Sequence, residues 1–359
     1  MTKSFKIAVS LLLAFALFVC GSVLLGDPFR YEGTRIAGAA PRGALVLDNQ
    51  SELIYRSTQT YSPEKSSPID LKGYDLVFED EFDGDALDLS VWSHVADGSP
   101  VRAGVNTSLY TRVNDGNLYL PVKLVDYDYN GQNIRTWAFG DIQLQQVYTY
   151  GYFECRAIMP KAHQGLGAFW LTSPYAYVDG VAPEGGVEVD IIESQCYGGS
   201  QNGWYGNDPQ IYEINIHYNS AANRKKLGAH GISVPGADMY EEFHTYGLLW
   251  TPKWYVFYVD GLPVYKTTFG VAGPNSEEQV RLCTELRGSN FKKLDAAYVD
   301  NDDTDMIVDY VKIWQLDDPA KYPTFESKQS VNFFNDIINR VFSFFDRVAD
   351  FFRSLFGRG

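Results

Sequence analysis

Short runs of alternating apolar and polar residues fill the chain from about residue 71 to residue 316. The runs are rich in β-branched and aromatic residues, which favour strands, and turn pairs such as Asp115-Gly116 and Asp260-Gly261 separate them. Many short strands without helical periodicity between them predict an all-β protein built as a two-sheet sandwich. The clearest runs are residues 74–78, 117–122, 151–158, 187–193, 212–218, 244–250, 254–259 and 306–315.

One predicted strand carries an unusual set of charges, because Glu188, Asp190 and Glu193 are spaced among aliphatic residues. In a regular strand Glu188 and Asp190 share one face, while Glu193, at an odd offset, points to the other. A β-bulge that absorbs one residue at Ile191 or Ile192 would bring all three carboxylates to the same face. Like charges at neighbouring positions repel each other, so we interpret the trio as a functional site.

The chemistry that this trio permits is the hydrolysis of a glycosidic bond with retention of configuration. Two carboxyl groups about 5 to 5.5 Å apart allow one to attack the anomeric carbon while the other protonates the leaving oxygen and later activates water. Asp190, between them, would hydrogen-bond to the nucleophile and raise the proton affinity of the acid through its charge. A calcium site or a solvated edge strand is the alternative interpretation.

The first 26 residues combine early positive charge with a long apolar stretch. Lys3 and Lys6 precede apolar residues 7–26, which is the order of a signal peptide. A stretch of about 20 residues is also long enough to remain as a membrane anchor. Residues 27–70 have a mixed composition without periodicity, which is typical of a tether. We therefore expect a secreted or extracytoplasmic protein, with a leader that is either cleaved or kept as an anchor.

Residues 319–359 predict a linker followed by an amphipathic helix, because apolar residues recur there at helical spacing. Arginines and aspartates lie opposite a phenylalanine-rich face. Such a helix would pack on the main domain or on a second copy of itself, or it would lie at the headgroup level of a membrane. Its apolar positions are Phe333, Phe334, Ile337, Ile338, Val341, Phe344, Phe345, Val348, Phe351, Phe352, Leu355 and Phe356.

Composition narrows the class of ligand. The net charge of −15 and the pI near 4.7 argue against nucleic acid as a partner, because phosphate binding needs a surplus of lysine and arginine. Aromatic residues make up 15% of the chain and suit stacking on the apolar faces of sugars, although most of them would form core. The cysteines outside the leader, Cys155, Cys196 and Cys283, lack the spacing of a metal site. We expect buried free thiols rather than a bridge between Cys155 and Cys196.

The spacing Glu188-x-Asp190-x-x-Glu193 resembles the catalytic signature of glycoside hydrolase family 16, in the bulge-containing branch of laminarinases and endo-β-glucanases. The resemblance covers residues 71–316 in the order of the family's strands. Similar segments are residues 76–84 with Leu87, Asp88 and Trp92 at the opening strand, 151–156 and 167–171 before the acids, 243–250 and 258–261 after them, and 308–311 at the closing strand.

The resemblance implies a β-jelly-roll sandwich of the concanavalin A-like type over residues 71–318, whose concave sheet forms a cleft for an extended glycan. By position in the motif, Glu188 would be the nucleophile, Asp190 its assistant and Glu193 the acid/base.

Further residues of the cleft follow from the same resemblance. The family places sugar-contacting residues on the strand that matches Glu154 and Arg156, which alternate with apolar neighbours; a surface ion pair is the alternative. His217 would face the same cleft, or it is a hydrogen-bonded structural residue.

The aromatic platform departs from the family pattern. Many glucan-cleaving members carry a tryptophan just ahead of the first glutamate, where this chain has Pro183-Glu184-Gly185-Gly186. Trp137, Trp170, Trp204 or Tyr205 would supply the platform instead, and Trp204 and Tyr205, in a glycine-rich loop, are the best placed. Each of the four is otherwise core or loop filler.

We therefore predict an endo-acting hydrolase of β-1,3- or mixed β-1,3/1,4-glucan. Alternatives are the same scaffold acting on galactan, agar, carrageenan or xyloglucan, a non-catalytic glucan-binding protein, and a surface protein that works through its terminal helix. The presence of all three acids favours hydrolysis. No cofactor is required for this catalysis. Some family members bind a structural calcium ion away from the cleft, and Glu81 and Asp309 match the positions of its oxygen donors.

Overall fold

The computed structural model describes residues 52–53, 69–195, 197, 209–227, 230–233, 237–287, 290–292 and 302–323. Within these ranges the only helical segments are two short 3-10 turns, Ser108–Tyr110 and Pro319–Lys321. No helix in this part of the chain has the length and apolarity to cross a membrane. The predicted leader and terminal helix lie outside the described residues, as do Cys196, Trp204 and Tyr205.

The described residues otherwise form strands. In chain order these are β1 (Glu52–Leu53), β2 (Asp75–Asp80), β3 (Trp92–His94), β4 (Pro100–Val101), β5 (Gly104–Asn106), β6 (Arg112–Asn114), β7 (Asn117–Tyr129), β8 (Gln132–Phe139), β9 (Asp141–Tyr148), β10 (Gly151–Ile158), β11 (Gly165–Thr172), β12 (Glu188–Glu193), β13 (Ile211–Tyr218), β14 (Lys225–Lys226), β15 (His230–Ser233), β16 (His244–Trp250), β17 (Tyr255–Val259), β18 (Leu262–Thr267), β19 (Glu278–Leu286) and β20 (Thr304–Gln315).

The strands form two sheets. Sheet A has the order β1-β18-β17-β16-β10-β20-β7-β8-β5-β4, with β2 beside β20 and β6 beside β7. Sheet B has the order β14-β13-β12-β11-β19-β9-β3, with β15 beside β13. Pairing is antiparallel except between β5 and β8, which run parallel. Because neighbours in each sheet are distant in sequence, the order is that of a jelly roll rather than of a simple meander, and the predicted all-β jelly-roll sandwich is confirmed.

The core lies between the two sheets. Tyr212 of sheet B stacks on Tyr246 of sheet A, with ring centroids 6.0 Å apart and planes inclined by 10°. Phe169 and Val189 from sheet B and Phe153 from sheet A are fully buried in the same cluster. Alternation along each strand therefore sends apolar side chains inward and leaves polar side chains on the outer face of each sheet.

Turn chemistry fixes the hairpins as the sequence predicts. Asp115 and Gly116 both adopt positive φ, at 50° and 70°, and they link Asn114 to Asn117, which are cross-strand neighbours. Two central residues with positive φ define a type I′ turn, whose twist matches that of the flanking strands.

Two short features outside the predicted domain of residues 71–318 contact the folded unit. Glu52–Leu53, inside the predicted tether, pairs with β18, and Tyr322, beyond residue 318, is 5% exposed within the main core. Neither feature has a periodic signal, because a two-residue strand and a single aromatic residue are too short to produce one.

Candidate active site

A β-bulge in β12 controls the direction of the acidic side chains. Trp170 of β11 lies opposite Asp190, and the next residue, Phe169, lies opposite Ile192, so Ile191 has no partner on β11. The register with β13 shifts over the same stretch. The extra residue returns Glu193 to the face of Asp190, and the predicted bulge is confirmed.

The apolar residues of β12 anchor this arrangement. Val189, Ile191 and Ile192 have no exposed surface and belong to the main core. The carbonyl oxygen of Ile191, which the bulge removes from regular pairing, accepts a hydrogen bond from the Tyr212 hydroxyl. A buried carbonyl group is costly without a partner, so this bond stabilises the bulge from inside the core.

The start of β12 is held just as closely. Gly186 adopts φ +144°, and a Cβ atom there would lie 2.4 Å from the side chain of Ser173. The backbone nitrogen of Val187 donates to Oε1 of the buried Glu278, at 2.9 Å. Glycine fits this approach without a clash, and the pair of anchors fixes where Glu188 enters the outer face of sheet B.

The three acids and His217 form one cluster on that face. His217 Nε2 lies 3.6 Å from Asp190 Oδ2 and 4.0 Å from Glu188 Oε1. Asp190 shares a hydrogen bond with Glu193. The structure therefore brings Glu188, Asp190, Glu193 and His217 together, although Asp190 bonds to the predicted acid/base rather than to the predicted nucleophile.

The two outer carboxylates have different electrostatic surroundings. Burial, with the charge of Glu188, raises the pKa of Glu193 to about 7, and Arg287 opposes this rise. Burial also raises the pKa of Glu188, but a hydrogen bond from Tyr177 and the charges of nearby arginines favour its ionised form. The pair is therefore split into a carboxyl that keeps its proton near neutrality and a carboxylate that is stabilised by donors.

The other members of the cluster carry little charge near neutral pH. Burial, followed by the charges of Glu193 and Glu188, raises the pKa of Asp190 well above its usual range. Burial, with the charges of Arg224 and Lys226, lowers the pKa of His217 to about 4. His217 is therefore a neutral hydrogen-bonding group at the site and not a cation.

Glu188, Asp190 and His217 are also chemically suited to a metal ion, since one ligand atom from each lies within 4.8 Å of the others. Glu188 and Asp190 also belong to the acid trio, so a metal ion here would occupy carboxylate oxygens of that cluster. The predicted calcium donors do not fit a shared ion. Glu81 pairs with Lys312 and Asp309 pairs with Arg156, so each carboxylate is already neutralised by a cation.

Trp170 lies beside the acids on the outer face of sheet B, as the register with Asp190 requires. The guanidinium of Arg281 lies 4.2 Å from the centre of its ring, and Arg281 also pairs with Asp141. One face of the indole is therefore covered by a cation. Trp137 is 1% exposed in a second apolar cluster. It is therefore a core residue and not the predicted aromatic platform for a sugar.

Glu154 and Arg156 do not join this site, and their predicted placement in the cleft is wrong. Both lie on β10, which belongs to sheet A, whereas the acids lie on sheet B. Glu154 accepts a hydrogen bond from Tyr310 at 2.8 Å, and Arg156 pairs with Asp309. Both side chains alternate with buried neighbours as predicted, but they point to the outer face of sheet A and not of sheet B.

Three residues that the sequence does not single out lie at the site. Glu213 and Asn215 lie on β13, where Glu213 is the cross-strand neighbour of Glu193, and both are buried. They share the face of His217 by strict alternation, so that signal was present in the sequence. Tyr177 lies in the loop between β11 and β12, where no periodicity marks it.

The structure thus combines an all-β jelly roll with a cluster of acids on a bulged strand of one outer face, and a pair of carboxyl groups is what the hydrolysis of a glycosidic bond requires. A family model described as "Beta-porphyranase A-D, GH16 domain" matches residues 76–316. The chain belongs to glycoside hydrolase family 16.

Curated relatives carry several specificities. Xyloglucan endotransglucosylase/hydrolase protein 3 of Arabidopsis thaliana is 32% identical over 145 residues, which are 39% of this chain and 43% of that protein. Beta-porphyranase B of Zobellia galactanivorans is 26% identical over 247 residues, covering 67% of this chain and 83% of that protein. The match to the Arabidopsis protein thus spans less than half of that relative's length.

Solved structures agree on the fold. Porphyranase B from Zobellia galactanivorans has a TM-score of 0.54 at 22% identity, covering 67% of this chain and 92% of that chain. The laminarinase catalytic domain from Thermotoga maritima has a TM-score of 0.53 at 17% identity, covering 67% of this chain and 98% of that chain. At these identities the likeness concerns the fold.

Proposed function

We propose that the protein is an endo-acting hydrolase of a β-linked polysaccharide that retains anomeric configuration through a double displacement. The observation that carries this proposal is the bulge at Ile191, which places Glu188, Asp190 and Glu193 on one face of β12. The split between the two glutamates supports the roles, because Glu193, with a pKa of about 7, can hold the proton that the leaving group needs.

The first step forms a covalent intermediate. A carboxylate oxygen of Glu188 attacks the anomeric carbon, the bond from that carbon to the leaving oxygen breaks, and Glu193 transfers its proton to that oxygen. In the second step Glu193 removes a proton from water, the water oxygen bonds to the anomeric carbon, and the bond to Glu188 breaks. Both carboxyl groups return to their initial protonation states.

Asp190 would regulate the proton on Glu193 in this scheme. It shares a hydrogen bond with Glu193 and is buried beside both glutamates. When Glu193 gives up its proton, the hydrogen bond from the protonated Asp190 stabilises the new carboxylate. His217 is neutral and lies 4.0 Å from Glu188. It would accept a hydrogen bond from the sugar at the reacting centre or donate one to it.

The stereochemical outcome tests the mechanism. Proton NMR of the first oligosaccharides released from a polysaccharide should show the anomeric configuration of the original bond before mutarotation begins. Initial formation of the opposite anomer would exclude the covalent intermediate and Glu188 as nucleophile.

Two substrate classes have specific support. The resemblance to the laminarinase branch favours β-1,3- or mixed β-1,3/1,4-glucan, whereas the matching family model is that of porphyranases and favours porphyran. Release of reducing sugars from laminarin, lichenan, agarose, porphyran, carrageenan and xyloglucan separates these classes. Chromatography of the products distinguishes endo cleavage, which gives a ladder of oligosaccharides, from release of single units.

We further propose export and retention at a membrane, on the basis of the apolar residues 7–26 and the phenylalanine-rich face of residues 331–356. Fractionation of cells that express the full chain and a variant lacking residues 331–359 tests this proposal. With a cleaved leader, the truncated protein should move from the membrane fraction to the soluble fraction with unchanged hydrolysis. An unchanged distribution would show that residues 7–26 are sufficient for membrane retention.

A further inference from the structure

Tyr177 makes a direct contact with the proposed nucleophile. Its hydroxyl donates a hydrogen bond to Oε2 of Glu188, while the other oxygen, Oε1, lies 4.0 Å from His217 Nε2. A distance of 4.0 Å is too long for a hydrogen bond. The contact therefore engages one carboxylate oxygen and leaves the other available toward the cluster centre.

The loop that carries Tyr177 is fixed to a neighbouring loop. Asp179 accepts hydrogen bonds from the backbone nitrogen of Ser220, at 2.9 Å, from its hydroxyl, at 2.8 Å, and from the Asn223 amide. The backbone nitrogen of Asn219 donates to the carbonyl of Ala176, at 2.8 Å. These bonds flank Tyr177 on both sides, so its position is set by the fold and not only by its own contact.

The ring of Tyr177 has a cationic neighbour as well. The guanidinium of Arg224 lies 5.3 Å from the ring centre, within the range of a cation–π contact. The charge of Arg224 also favours the ionised form of Glu188. Burial and the nearby carboxylate of Glu188 raise the pKa of Tyr177 far above neutrality, so the phenol remains a donor throughout the useful pH range.

The charges around Glu188 oppose one another. Acids on β12 and β19 disfavour its ionised form, whereas arginines on β19 and on the β13–β14 loop, together with the Tyr177 hydroxyl, favour it. The groups that face Glu188 from these elements are Asp190, Glu193, Glu285, His217, Arg224 and Arg281.

We propose that Tyr177 is a positioning residue for Glu188. The Tyr177 hydroxyl holds Oε2 of Glu188, so that Oε1 of the same carboxylate is directed at the anomeric carbon. This inference rests on the proposed function. During the first displacement Oε1 forms the bond to carbon and Tyr177 keeps its proton. During the second, the same hydroxyl stabilises the carboxylate that is released, so both steps use the contact.

The test compares Tyr177→Phe with Tyr175→Phe in the full-length protein. Tyr175 lies two residues away on the same loop and is 55% exposed, so its variant removes the same hydroxyl group from the same segment. On the polysaccharide that the wild type cleaves, Tyr177→Phe should move the acid limb of the kcat/KM profile upward by about one pH unit, as expected for the loss of a hydrogen bond to a charged group. Tyr175→Phe should leave the limb in place.

A second variant tests whether the loop itself holds Tyr177 in place. Asp179→Ala keeps both tyrosines but releases the loop, and it should shift the same limb in the same direction by a smaller amount. Coincidence of the Tyr177→Phe limb with that of the wild type would overturn the inference.

A readout without turnover separates this inference from the proposed function. In protein labelled with ¹³C at the glutamate carboxyl carbons, the Glu188→Gln variant assigns the Glu188 signal, whose titration midpoint should rise in Tyr177→Phe. An inactive wild type with this NMR shift would contradict the proposed function while supporting the contact. An active wild type without the shift would contradict the contact alone.

Discussion

The outer faces of the two sheets carry similar alternating polar residues but balance their charges differently. On sheet A, Arg156 pairs with Asp309, and Lys312 pairs with both Glu79 and Glu81. On sheet B the acids at the centre of β12 form no ion pair with lysine or arginine among the residues that the structure describes.

The charged residues of sheet A are paired with one another, whereas the acids of β12 on sheet B form a cluster. A paired carboxylate on a surface contributes little to stability. Clustered acids that form no ion pair raise one another's pKa, and such perturbed groups concentrate at functional sites. The comparison therefore supports the proposal that catalysis takes place on sheet B and not on sheet A.

The largest effect on activity is expected when single carboxylates of the sheet B cluster are removed. Glu193→Gln removes the proton donor and should lower kcat/KM by about 10²- to 10⁴-fold, and Glu188→Gln, which removes the nucleophile, should lower it further. Glu154→Gln on sheet A is the matched control and should retain wild-type activity. Reducing-sugar assays and thermal melts of the three variants check the result, and strong loss in Glu154→Gln would contradict the assignment of sheets.

Azide distinguishes the roles of the two glutamates. In Glu188→Ala the small anion can replace the missing nucleophile and should yield a glycosyl azide of inverted configuration. In Glu193→Ala it should attack the covalent intermediate and give a product of retained configuration. A retained azide from Glu188→Ala and an inverted azide from Glu193→Ala would make Glu193 the nucleophile and Glu188 the acid/base.

Stability should depend on a buried acid behind the site. Burial raises the pKa of Glu278 to about 7, from 4.5 in the unfolded chain. The folded state therefore binds more protons between these values, and the free energy of unfolding should fall by about 3 kcal/mol as the pH rises from 4.5 to 7. Glu278→Gln mimics the protonated form and should reduce this fall.

Urea denaturation at pH 5 and pH 8 measures that effect. Glu193 also has a raised pKa, so a smaller decline of the same sign should remain in the variant. Equal declines in the wild type and in Glu278→Gln would show that Glu278 does not hold its proton in the folded state. Glu79→Gln, on the exposed face of sheet A, should leave the decline unchanged.

The alkaline limb of activity should report Glu193. With its pKa at about 7, kcat/KM should fall about tenfold for each pH unit above that value, because the leaving group loses its proton donor. Arg287 favours the ionised form of Glu193, so Arg287→Gln should move this limb to higher pH. A limb that moves to lower pH would contradict the assignment of Glu193 as the acid.

The smallest effect is expected on sheet A. Arg156 is partly exposed, pairs with Asp309 and stacks on Phe243 at 4.5 Å. Arg156→Gln should change the free energy of unfolding by less than about 1 kcal/mol and leave hydrolysis unchanged. A large rise in KM would return Arg156 to the substrate cleft and weaken the comparison.

The sequence predicts those features that depend on local alternation. The parity of Glu188, Asp190 and Glu193 required a bulge, and the bulge lies where parity placed it. Alternation on β13 also places Glu213 on the face of His217, although only His217 is predicted there.

Features that depend on long-range pairing were not predictable in the same way. Alternation identified the outward face of β10 but not the sheet that β10 joins, which is decided by its pairing with β16 and β20, far along the chain. Tyr177 reaches Glu188 only through a loop geometry that is fixed by Asp179 and Ser220. No pattern in the sequence encodes that contact.

The unpaired Ile191 has a consequence for how this strand tolerates changes in length. Deleting one residue from a regular strand reverses the facing of everything beyond it. Here the deletion of Ile191 would remove the bulge, restore plain alternation from Glu188 through Asp190 to Glu193, and leave the downstream register with β11 and β13 intact. Loss of this one residue would therefore keep the three carboxylates on one face of the strand.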